Sequence, residues 1–80
     1  MIQLVLYTRA DCPLCHEMQA AIERIARALP LALELVDVDG DPALVAAYGD
    51  EVPVLLVNGR KAFAGRVDPR ALAARLAEER

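Results

Sequence analysis

Eighty residues leave room for one domain and no second. A formal net charge of −3, with the nine basic residues scattered rather than clustered, argues against a nucleic-acid partner. No apolar run approaches the roughly 18 residues of a membrane span, so a membrane role is not expected either.

The elements follow one another with clear punctuation. Ile2 to Tyr7 is apolar apart from Gln3, the pattern of a central strand buried on both faces. This opening run lacks a basic flank and a small-residue cleavage site, so it reads as a strand rather than a leader, and a reducing, cytoplasmic setting is expected. From Pro13 to Leu29 the residues Leu14, Met18, Ile22, Ile25 and Leu29 recur at helical spacing, and Pro30 stops the stripe. Leu31 to Val38 reads as a second strand ended by Asp39-Gly40. Asp41-Pro42 then offers a side-chain cap followed by proline at the first helical position, with Gly49 as the stop. Leu44, Val45 and Tyr48 share one face of that short helix. Pro53 to Val57 is a strand, Asn58-Gly59 a two-residue hairpin turn, and Arg60 to Ala64 the returning strand. Asp68-Pro69 repeats the cap-plus-proline signature and opens a last helix with Leu72, Ala73 and Leu76 inward.

The order is β1-α1-β2-α2-β3-β4-α3, an α/β pattern. The first strand–helix–strand unit implies a right-handed parallel crossover, and the hairpin adds antiparallel strands. The expectation is a single domain over residues 1–80: a four-stranded mixed sheet with helices on both faces.

The chemistry sits in Asp11-Cys12-Pro13-Leu14-Cys15-His16. Pro13 fits the first helical position, so Cys12 falls at the N-cap and Cys15 in the first turn. Their sulfurs can then bond across that turn. Free N–H groups and the positive helix end favour a thiolate on Cys12, lowering its pKa from the ordinary value of about 8.5. Cys12 is expected to attack and Cys15 to resolve the mixed disulfide. A bridge closing so short a loop constrains the unfolded chain little, so reactivity explains the pair better than scaffolding.

Other readings of the same run are open. Cys-x-x-Cys-His is also the attachment pattern of c-type haem, with His16 as a ligand, but the context lacks a leader and a distal ligand other than Met18. Zinc would need a second ligand pair that the sequence does not supply. His16 is expected at the surface of the first turn, where its cation would further favour the Cys12 thiolate. The plainest alternative is a buried, unreactive cysteine pair.

Taken together, Tyr7-Thr8-Arg9, Cys12-Pro13-Leu14-Cys15, Val36-Asp37-Val38-Asp39, Glu51-Val52-Pro53-Val54, Gly65 and Asp68 resemble glutaredoxin over nearly the whole chain. The resemblance implies the thioredoxin fold with sheet order 2-1-3-4. It also implies a cis Val52–Pro53 bond that places Pro53 against the dithiol and leaves the Val52 backbone free to pair with an extended substrate. Glutathione contacts would fall on Arg9, Val52, Pro53, Gly65, Arg66 and Asp68. The chain departs from the family at Glu51, where threonine is usual, at Arg66 in place of the second glycine, and at Pro69 in place of an acidic residue. Asp68 is also explained as a helix cap.

The expected function is thiol–disulfide exchange: an oxidoreductase reducing protein or glutathione mixed disulfides, serving electron transport and cell redox homeostasis. No bound cofactor or metal is expected. Glutathione or a thioredoxin-reductase-like flavoenzyme would supply electrons, disulfide-containing proteins would be the partners, and the chain would act as a monomer. The alternative is a thioredoxin-fold adaptor, or a carrier of metal or an iron–sulfur cluster.

Overall fold

Alternation along the first strand decides how the layers assemble. In the computed structural model, which describes residues 1–79, β1 (Ile2–Thr8) lies at the centre of a four-stranded sheet of order β2-β1-β3-β4. It runs parallel to β2 (Leu31–Asp37), with Ile2 opposite Leu31 and Thr8 opposite Asp37. On its other edge it is antiparallel to β3 (Val54–Val57), with Tyr7 opposite Val54. β3 turns through Asn58-Gly59 into β4 (Arg60–Ala64). Both turn residues have positive φ, 49° and 85°, as a tight hairpin requires and as Asn-Gly tolerates.

Ile2, Leu4 and Leu6 point to one face, where they meet Leu55 and Val57 of β3, Met18, Ala21 and Ile22 of α1 (Pro13–Ile25), and Leu72 and Leu76 of α3 (Pro69–Ala77). This is the core. Residues of the other parity face the remaining helix, α2 (Pro42–Tyr48), whose Tyr48 stacks on Tyr7 with ring centroids 4.3 Å apart. The expected architecture of a mixed sheet with helices on both faces is therefore the observed one.

Three local expectations change. β1 is not buried on both faces: Gln3 is exposed and Val5 and Tyr7 are half-buried, because a helix of only seven residues covers that side. α1 ends at Ile25 rather than Leu29. Beyond it the chain tightens into turns, with Arg27 N–H donating to Arg24 O and Ala28 N–H to Ile25 O, since Pro30 has no N–H and its ring would clash with the Ala26 carbonyl of a continued helix. β2 ends at Asp37, and the buried Val38 begins a short 3-10 turn, Val38–Gly40, capped by the Asp37 carboxylate. Gly49 does end α2, but in right-handed conformation; a side chain there would bring its Cβ to 2.6 Å from Val45 O, so space and not handedness selects glycine.

Candidate active site

β1 and β2 run parallel, and β3 starts where β1 ends, so the loops after β1 and β2 and before β3 gather at one end of the sheet. That end holds the dithiol. Cys12 is the N-cap of α1, with extended backbone, and Pro13 is the first helical residue, as the spacing predicts. The Cys12 Sγ accepts a hydrogen bond from Cys15 N–H at 3.1 Å, and Cys12 O accepts from both Cys15 N–H and His16 N–H. The two cysteines are joined as a disulfide, with Cα atoms 5.2 Å apart. Their burial differs: Cys12 keeps 8% of its surface and Cys15 none. Cys12 also lines a shallow surface pocket with Ala10, Asp11, Pro13 and His16, so one cysteine of the pair reaches the surface and the other does not. His16 is exposed at the rim.

Pro53 follows a cis Val52–Pro53 peptide and is buried, while Val52 is half-buried. Because Tyr7 pairs with Val54, Pro53, the residue before β3, lies at the end of the sheet from which the loop that carries Cys12 departs. Gly65 N–H donates to Pro53 O at 2.8 Å, which brings the β4–α3 loop to the same end. Arg66 and Asp68 line a groove with Leu14, which stands between the two cysteines, and with Met18 and Ala21 of α1. The Asp68 carboxylate accepts Arg70 N–H at 3.0 Å, which is the capping role. Glu51 is paired with Lys61. Among the described residues no group of three or more His, Cys, Asp or Glu side chains is gathered to hold a metal ion.

Arg9 has partners that sequence reasoning did not find. Its guanidinium meets Asp39, with Nη2 2.7 Å from Oδ1 and Nε 3.2 and 3.3 Å from the two carboxylate oxygens. Its Nη1 donates to Gly49 O at 3.2 Å. The Arg9 side chain thus ties the dithiol loop, the turn after β2 and the end of α2 together. Thirty residues separate Arg9 from Asp39, and no local pattern announces such a pair.

The hydrogen bond from Arg9, followed by its charge, holds the Asp39 carboxyl below the ordinary carboxylate range. A carboxyl whose pKa is lower folded than unfolded stabilises the fold above its unfolded value, about 4, and that contribution fades as pH falls through the lower folded value. Denaturant midpoints measured from neutral pH down to about pH 3 are therefore expected to fall less steeply in Asp39→Asn than in the native chain. An unchanged slope would show that the pair carries no acid-labile stability.

The chain has clear relatives. The family described as glutaredoxin-like domain (DUF836) matches residues 3–77. A protein from X. campestris, solved as a structural genomics target, superposes with a TM-score of 0.78 at 41% identity, covering 94% of this chain and 96% of that one. The thioredoxin of Methanocaldococcus jannaschii is 30% identical over 74 residues, 89% of this chain and 87% of that protein. NrdH-redoxin from Escherichia coli, described as a glutaredoxin-like protein with a thioredoxin-like activity profile, superposes with a TM-score of 0.71 at 26% identity, over 92% and 93% of the two chains.

Proposed function

The chain belongs to the glutaredoxin-like domain family (DUF836), and from that premise we propose that it is a thiol–disulfide oxidoreductase that reduces disulfides in other proteins through Cys12 and Cys15. One observation carries the reading: the dithiol stands at the N-terminus of α1, with Cys12 approachable, Cys15 sealed, and a backbone N–H directed at the Cys12 sulfur.

In the reduced protein, the Cys15 N–H and the positive end of α1 favour the Cys12 thiolate over the thiol. That thiolate attacks one sulfur of a substrate disulfide; the substrate S–S bond breaks, and the other sulfur leaves as a thiolate that takes a proton from solvent. Cys15 then gives up its proton and attacks the Cys12 sulfur of the mixed disulfide, releasing the second substrate thiol. The substrate gains two electrons and two protons, and the protein is left with the Cys12–Cys15 bond. Pro53, which has no N–H, offers no donor of its own to compete for the thiolate, and the Val52 backbone supplies an edge on which an extended substrate pairs. His16 lines the surface pocket into which Cys12 opens. Electrons return from a thiol donor, either glutathione or the dithiol of a thioredoxin-reductase-like flavoenzyme, in a reducing compartment.

The test is turnover of a protein disulfide by the purified chain, coupled in parallel to glutathione with its reductase and to the thioredoxin reductase system. Turnover with either donor at rates well above a free dithiol is expected. No turnover with both would leave the fold to an adaptor role.

A further inference from the structure

The dithiol loop carries one arginine, and the fold has already given it a partner. Arg9 lies three residues before Cys12 in the same loop. It is the group there best suited to receive a substrate carboxylate, because a guanidinium binds carboxylates through two parallel N–H bonds. Asp39 fills that role instead, gripping Nε and Nη2 together while Gly49 O takes Nη1. The grip is set up from behind: Asp39 N–H donates to the Asp37 carboxylate at 2.9 Å, which fixes the turn that presents Asp39. Asp37 and Asp50 also lie within electrostatic reach of the guanidinium. The Arg9 side chain nonetheless remains 37% exposed, so it stays in contact with solvent while paired. Asp11, in the surface pocket with Cys12, has no ion-pair partner among the described residues.

We propose that Asp39 is a specificity-determining residue: by occupying Arg9 it denies anionic disulfides the guanidinium of the Cys12 loop, so that the dithiol discriminates in favour of neutral and cationic disulfides. The inference rests on the thiol–disulfide activity proposed above and adds its substrate class. Glutathione disulfide, with its several carboxylates, belongs to the disfavoured class, and a protein disulfide flanked by basic or uncharged residues belongs to the favoured one. Asp39 acts here through Arg9 and not on the reacting sulfurs. Its removal should therefore change the relative rates of differently charged substrates rather than the reactivity of the dithiol as such.

Three small disulfides of similar size separate these effects: cystamine, which is dicationic, bis(2-hydroxyethyl) disulfide, which is neutral, and dithiodipropionate, which is dianionic. The rate at which each oxidises the reduced protein is divided by its rate with free dithiothreitol, which removes intrinsic reactivity. For the native chain at low salt the order cystamine, neutral, dianion is expected, with the three converging as salt screens the charges. In Asp39→Asn the dianion-to-neutral ratio should rise about two- to fivefold, the scale of one exposed ion pair. Asp39→Glu should bring the ratio back, and Arg9→Gln should leave it low. An unchanged ratio in Asp39→Asn, or a native chain that reacts faster with the dianion than with cystamine, overturns the proposal. The neutral disulfide tests the other reading separately: if it oxidises the protein no faster than it oxidises dithiothreitol, the oxidoreductase function fails whatever the charge ratios are.

Discussion

Replacing Cys12 with serine is expected to abolish disulfide reduction, lowering turnover by at least about a hundredfold, because a serine hydroxyl neither ionises near neutral pH nor forms a bond to sulfur. Cys15 cannot substitute for it, since its sulfur is fully buried beneath the first turn of α1. The companion variant should fail differently. In Cys15→Ser the first attack proceeds and the second does not, so the protein accumulates as a mixed disulfide on Cys12. Mass spectrometry after one addition of substrate reads this directly: one substrate thiol per chain in Cys15→Ser, none in Cys12→Ser. An adduct on Cys15 in the Cys12 variant would reverse the assigned roles.

The largest effect on stability is expected at Leu6. It is fully buried on the central strand, paired with Leu55 on one side and Leu35 on the other, and it belongs to the core cluster shared with α1 and α3. Leu6→Ala removes a buried branched side chain from a site whose neighbours come from several elements and cannot all move inward. The cost should be about 2–5 kcal/mol. Against a total of roughly 5–15 kcal/mol for a domain, such a loss leaves little reserve. Denaturant unfolding of the native chain and the variant measures it. Leu35→Ala is the matched control, since Leu35 stands opposite Leu6 in the sheet but is 48% exposed on the edge strand. It should cost about 0.5 kcal/mol or less. Equal losses at the two positions would mean that the core does not lie where the alternation of β1 puts it.

The site was legible in unequal parts. Cys12, Pro13 and Cys15 could be placed on the first helical turn because capping chemistry is local: a proline at the first position and a side-chain acceptor before it are readable within a few residues. The hairpin at Asn58-Gly59 and the caps at Asp41 and Asp68 were legible for the same reason. Element ends were less so. Pro30 was read as the end of α1, but the helix gives way to turns after Ile25, because proline lacks an N–H and its ring clashes with a helical carbonyl four residues before it. Arg9 was read, by resemblance, as a glutathione contact, and only the folded chain brings it Asp39. Arg66 and Asp68, grouped with Arg9 by resemblance, line a groove that also holds Leu14 and Met18 of α1.

The dithiol, the order of elements and the inward stripes of the helices were determined by the sequence alone, since caps, turns and hydrophobic periodicity act over three or four residues and need no distant partner. Tertiary structure decided what depends on contacts far apart in the chain. It placed Pro53 beside the loop of Cys12 through the pairing of Tyr7 with Val54. It left one face of the sheet to a single short helix. And it gave Arg9 to Asp39, because two loops that follow parallel strands emerge at the same end of the sheet.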